Sequence, residues 1–234
     1  MAGKKYVIAT IKSWNIDKAK EFKGKKGSAI EIITEHSDLT CERLKQINPR
    51  YIFFPHWSWK IPKEIYENWE CIVFHMTDLP FGRGGSPLQN LLSRGIYKTK
   101  ISALKVVEEM DAGPIYAKSE LDISTGSAED IYKRAADIIF QEMIPYIIMN
   151  EPVPQPQAGK VVSFRRRNEA ESELPGFDGL QKVYDHIRML DAEGYPQAFL
   201  VNNGFKYKFS KARMLPDSVK AEVMIVKEGN KGRE

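Results

Sequence analysis

The feature that most restricts the fold is an alternation sustained over the first 150 residues. Short runs rich in β-branched and aromatic residues are separated by polar stretches with helical spacing. Residues 6–11, 28–34, 51–54, 71–74, 100–109 and 115–121 read as strands. Residues 39–46 follow Asp38 as an N-cap, 61–68 carry Pro62 in their first turn, and 88–93 stop short of Gly95. The longest helix is expected over 127–148, with Ile131, Ala135, Ile138, Ile139, Met143 and Ile147 on one face. Residues 14–22 suit a short helix or a solvated loop. Strands alternating with helices argue for an α/β fold, a mostly parallel twisted sheet covered on both faces.

The alternation ends at Glu151-Pro-Val-Pro-Gln-Pro156. The expected organisation is a catalytic domain over 1–150, an extended linker over 151–178 and a small α+β subdomain over 179–234. That subdomain holds a helix at 179–190 and strands at 198–201 and 207–212, joined by the hairpin signal Asn202-Asn203-Gly204. Residues 227–234 are polar and expected to fray. The net charge is +4, and the basic residues are scattered apart from Arg165-Arg166-Arg167, so electrostatics alone do not argue for nucleic acid. Cys41 and Cys71 have no metal-ligand spacing, and no metal site is expected. No apolar run approaches the roughly 20 residues of a membrane span. Met1-Ala-Gly-Lys-Lys5 leads into no apolar signal segment, so a cytoplasmic protein is expected.

Chemistry concentrates in residues 71–87. An apolar strand delivers His75 to a loop loosened by Gly82, Gly84 and Gly85 and stiffened by Pro80 and Pro87. Open α/β sheets place their sites at such strand ends. Asp111 stands at the end of another expected strand. If the two strands are parallel neighbours, both side chains open into one crevice, where the carboxylate would set the tautomer and basicity of the imidazole. Asp111-Ala-Gly113 is equally good turn chemistry.

The segment His75-Met-Thr-Asp-Leu-Pro-Phe-Gly-Arg-Gly-Gly-Ser-Pro87 resembles the His-x-Ser-x-Leu-Pro-x-x-Arg-Gly-x-x-Pro loop of formyltransferases that use 10-formyltetrahydrofolate. Thr99, Met110-Asp-Ala-Gly-Pro114, Ile187-Arg188 and Tyr195-Pro-Gln-Ala-Phe199 continue the resemblance in register. It implies a Rossmann-like domain and transfer of a formyl group to a primary amine. His75 would handle the proton, with Asp111 as its partner. Trp59, Lys60, Ile61, Glu108 and Met110 stand where the family grips the pterin, and Thr77, Asp78, Arg83 and Gly84 belong to the substrate loop. The family's Asn-x-His pattern meets Val73 here, and a lost oxyanion donor costs about 10²–10³-fold in rate. His56 is the expected replacement donor, with a backbone N–H of the loop or a water as competing accounts. A non-catalytic folate- or nucleotide-binding protein on the same scaffold is the alternative class. Fewer than sixty residues follow Asp178, against a larger barrel in the tRNA enzymes of the family. The expected acceptor is therefore a small amine, a nucleotide-linked amino sugar, with initiator tRNA second. A homodimer is compatible with this reading.

Overall fold

The computed structural model describes residues 3–228. They divide into two compact units: 3–84, 99–121 and 133–163 form the first, and 85–98, 122–132 and 164–228 the second. The elements in chain order are β1 (Lys5–Ala9), α1 (Ser13–Lys26), β2 (Ile30–Ile33), α2 (Cys41–Ile47), β3 (Pro49–Phe54), α3 (Lys63–Tyr66) and β4 (Cys71–His75). Next come β5 (Phe81–Gly84), α4 (Pro87–Leu92), β6 (Lys98–Lys105), β7 (Ile115–Asp122), α5 (Ala128–Ile138) and α6 (Ile144–Asn150). The chain closes with β8 (Val162–Phe164), α7 (Leu180–Arg188), β9 (Ala198–Asn202), β10 (Phe205–Leu215) and β11 (Ser218–Lys227).

In the first unit, six strands run in the order β2-β1-β3-β4-β6-β7. The β1–β2, β1–β3 and β3–β4 pairs are parallel, and β6 joins β4 antiparallel. The expected mostly parallel α/β sheet is therefore present, made mixed by the antiparallel β6. Its central strands carry unbroken apolar runs, as sheets covered on both faces require. Val7, Ile8, Ala9, Ile52, Phe53 and Ile72 are completely buried, each large side chain contributing about 1.5–3 kcal/mol by leaving water. The expected 127–148 helix is continuous over α5, a wider π turn at Ile139–Met143, and α6 with Pro145 in its first turn. Its start is a reciprocal cap. The Asp130 amide donates to the Ser127 hydroxyl at 3.2 Å, and Asp130 Oδ2 accepts the Ser127 amide at 2.9 Å.

The second unit is built on an antiparallel sheet, β11-β10-β9, with α7 packed on β10. The β9–β10 turn has positive φ at Asn203 (49°) and Gly204 (77°), the conformation that Asn-Gly favours. The appendage was expected to have two strands; β11 is a third. The expectation for residues 227–234 falls mostly outside the described residues. Among the described residues no helix is long and apolar enough to cross a membrane.

Candidate active site

Strand β4 ends at His75, whose backbone pairs with Ser102 of β6. The buried Ser102 hydroxyl donates to Thr77 O at 2.7 Å and accepts the Leu79 amide at 3.4 Å, tying down the chain that leaves β4. The loop then returns through β5, and Val162 next to β5 donates its amide to Pro80 O. Residues 81–84, expected as open loop, thus form a short strand against β8.

The return brings Gly82 O within 2.7 Å of His75 Nε2. A carbonyl only accepts, so that nitrogen carries the proton and Nδ1 is the nitrogen left toward the site. Nδ1 lies 3.6 Å from Asp111 Oδ2, with both side chains mostly buried. Asp111 Oδ2 also accepts the Gly84 amide at 2.9 Å. Gly84 adopts φ of 105°, which points that amide at the carboxylate and is open to glycine at little cost.

The two residues meet by a route other than the expected one. Strands β4 and β6 are neighbours but antiparallel, and β6 stops at Lys105, short of Asp111. An excursion over residues 106–114 carries Asp111 to His75, with Asp111 itself at φ of 54°. Gly113 makes the excursion fit, because a Cβ there would stand 1.7 Å from Lys105 O. Gly113→Ala must push the turn off the strand. The expected cost is about 1–3 kcal/mol, read as a lower thermal midpoint, and formyl transfer should fall at least tenfold as Asp111 leaves His75.

The other expected site residues each have surroundings of their own. Thr77 is buried with its hydroxyl 3.4 Å from Gly82 O. Asp78 pairs with Lys100 and Lys118, which hold its carboxyl below the usual range against the opposing effect of burial. Arg83 is engaged within the protein: Nε and Nη2 donate to Gln157 Oε1 at 3.0 and 2.9 Å, and Nη1 reaches Glu109 at 3.1 Å. Ile61 is buried, whereas Trp59 is 43% exposed and Lys60, Glu108 and Met110 lie open to solvent. The Trp59 ring stands 5.0 Å from Trp57 and 5.1 Å from His36. Val73 packs against the apolar cluster that includes Phe54, Ile61 and Cys71. His56 follows β3 at φ of 57°, its ring edge-on to Trp14 at 5.9 Å. Burial, and secondarily the Lys12 ammonium, push its pKa down to about 4, so the ring is neutral near pH 7. Burial likewise pushes the Cys71 thiol up to about 12, leaving it inert. Gln157 went unrecognised in the sequence because its partners Arg83, Asp111 and Gly113 are distant along the chain. Among the described residues no three His, Cys, Asp or Glu side chains gather as a metal-ligand set.

A strand-end imidazole 3.6 Å from a carboxylate, beneath a glycine-rich loop on an α/β sheet, is an arrangement chemically able to hold and pass a proton. Residues 17–147 match the family model described as formyl transferase, and residues 169–226 match the methionyl-tRNA formyltransferase C-terminal domain. The first match alone spans more than half of the chain, which therefore belongs to the formyltransferase family of enzymes. The chain is similar to a solved structure described as methionyl-tRNA formyltransferase from Clostridium thermocellum. Identity is 54%, coverage 96% of this chain and 100% of that one, and the TM-score 0.93. It is 27% identical to the methionyl-tRNA formyltransferase of Bacillus licheniformis over 195 residues, 79% of this chain and 61% of the relative. The chain thus spans about three fifths of the length of the curated relatives it matches. A structure of HypX from Aquifex aeolicus in complex with tetrahydrofolic acid shares the fold, with a TM-score of 0.73 at 16% identity over 89% of this chain and 37% of that one.

These likenesses overturn the expected acceptor. The nucleotide-linked amino sugar, and the small-molecule partner ranked ahead of tRNA, rested on the short C-terminal part. Yet that part matches the methionyl-tRNA formyltransferase C-terminal domain, and a relative of the same extent carries that enzyme's name. A compact C-terminal part is therefore no mark of a sugar substrate.

Proposed function

We propose that this chain transfers a formyl group from 10-formyltetrahydrofolate to the amino group of methionyl-tRNA in the cytoplasm. The observation that carries the acceptor is the likeness of residues 169–226 to the C-terminal domain of methionyl-tRNA formyltransferase. The folate would supply a formyl group activated by its attachment to nitrogen. The chain's make-up suits such a donor: Trp59 offers a partly exposed aromatic face, and Lys60 and residues 108–110, which run into Asp111, offer exposed chain. Those residues would hold the donor.

The reading assigns the proton lost by the attacking amine to His75. Gly82 O occupies Nε2, so His75 Nδ1 takes the proton and shares its charge with Asp111 Oδ2. The 3.6 Å separation exceeds a hydrogen bond, and such contacts tighten when substrates close over a site. The Gly84 amide keeps the Asp111 carboxylate from turning away. Under the same reading His56 donates to the formyl oxygen in place of the family asparagine, as a neutral imidazole. His56→Ala should then lower kcat by about 10–10²-fold with folate affinity nearly unchanged, and Val73→Asn should restore part of the loss. Unchanged turnover in His56→Ala would retire that assignment.

The function is tested by incubating the protein with 10-formyltetrahydrofolate and initiator methionyl-tRNA and measuring formylmethionine released on hydrolysis. Transfer should saturate with tRNA and weaken as salt rises. Thermal stabilisation by a folate analogue with no formyl transfer would overturn the reading in favour of a binding protein.

A further inference from the structure

The geometry points to Gln157 as the positioning residue that sets Asp111 against His75. This inference rests on the formyltransferase reading above. Gln157 Nε2 donates to Asp111 O at 2.7 Å and to Gly113 O at 2.9 Å, while its Oε1 accepts both bonds from Arg83. The orientation of the amide is fixed by its partners, since carbonyls only accept and a guanidinium only donates. All four hydrogen-bonding positions face a partner, so the side chain has one arrangement that satisfies them.

That arrangement joins three separate segments. Arg83 lies in β5 beside Gly84, the residue whose amide holds the Asp111 carboxylate. Asp111 and Gly113 bracket the turn that Gly113 lays against Lys105. Gln157 itself comes from the Pro-rich stretch, which is anchored two residues earlier. There Gln155 exchanges both backbone bonds with Ile115, at 2.7 and 2.8 Å. Pro154 and Pro156 flank that anchor and restrict the chain that presents Gln157. A residue with positive φ such as Asp111 keeps that conformation only when its surroundings enforce it, and the Gln157 amide on its carbonyl does so. Gln157 touches neither reacting group; it acts through Asp111.

Two variants separate this role from general support. Gln157→Ala removes both halves of the clamp. Gln157→Glu keeps the size and the acceptor toward Arg83 but turns an oxygen onto two carbonyl oxygens. If the hold on Asp111 is what matters, both variants should lower kcat by about 10–10²-fold, with KM for donor and tRNA within threefold and thermal midpoints close to the parent. In an Asp111→Asn background, Gln157→Ala should cost less than threefold more, because the residue it positions is already disabled. The His75 ring nitrogen resonances at one pH should move in Gln157→Glu in the direction seen for Asp111→Asn. Turnover within twofold of the parent, an undiminished loss in the Asp111→Asn background, full activity in Gln157→Glu, or an unmoved His75 ring would each overturn the proposal. The ring measurement needs no turnover. A parent protein that forms no formylmethionyl-tRNA would therefore sink the functional reading and leave the Gln157 test standing.

Discussion

His75→Ala is expected to lower kcat for formyl transfer by about 10³-fold, inside the 10²–10⁴ range of a positioned acid-base group, while KM for the proposed acceptor and donor changes little. The expectation follows from how completely the ring is built in. It is mostly buried at the end of β4, its Nε2 donates to Gly82 O, and Nδ1 faces a carboxylate that is itself held by a backbone amide. Alanine removes the only imidazole in this arrangement, and the Thr77 hydroxyl still lies 3.4 Å from Gly82 O to limit the loop's loss. Asp111→Asn should cost about 10²-fold, since an amide preserves shape but cannot balance a proton on Nδ1. The double variant should be hardly slower than His75→Ala, because two residues acting as one unit lose their joint effect once. Single-turnover formylation, with thermal unfolding as a control on integrity, measures all three. A kcat within threefold of the parent in His75→Ala would refute the assignment of the proton to this ring.

How far the fold was legible depends on where each signal resides. The strand–helix alternation was readable because buried parallel strands such as Ile52–Phe54 and Val7–Ala9 carry continuous apolar runs that local chemistry cannot disguise. The Asn203-Gly204 turn was readable for the same local reason. Strand β11 was not. Its Val223, Met224 and Ile225 are exposed, so no one-sided burial imposes a clean period of two; Pro216-Asp217 between β10 and β11 was the available cue. Strand β5 contains two glycines and pairs with residues some eighty positions away, which no local propensity reports. His75 and Asp111 were legible by residue type and loop context. Their meeting was not, because it depends on an antiparallel β6 and on the close approach of Gly113 to Lys105. Gln157 sits in a proline-rich stretch that looks like a tether, and its four polar contacts exist only after folding. The acceptor was misjudged on length, a quantity that says little about which surface reads the substrate.

Arg188→Ala is expected to cost about 3–5 kcal/mol of stability, the usual result of stripping one partner from a buried ion pair. Arg188 is 1% exposed near the end of α7, and its Nε donates to Asp185 Oδ1 at 2.7 Å. Its Nη1 donates to Ile123 O and Gly126 O, both at 3.0 Å, and the guanidinium lies 5.1 Å from the Tyr184 ring centroid. On the far side, Asp185 Oδ2 accepts from the Tyr97 hydroxyl at 2.7 Å and from Gln181 at 2.9 Å. Alanine leaves a buried carboxylate without its cation and two carbonyls without a donor. Lysine cannot repair this, because a single ammonium lacks the planar fork that spans three acceptors in different directions. Against a total of roughly 5–15 kcal/mol for an ordinary domain, the loss is about a fifth or more of what holds the fold. Replacing the charges together, as Asp185→Leu with Arg188→Met, should recover part of it, since a missing pair costs less than a lone buried charge. Urea unfolding followed by far-ultraviolet circular dichroism reads the effect as a lower midpoint at unchanged slope. A shift equivalent to less than about 1 kcal/mol would show the ion pair to be dispensable, and a double variant weaker than Arg188→Ala would show that the neighbouring hydrogen bonds, rather than the unpaired charge, set the cost.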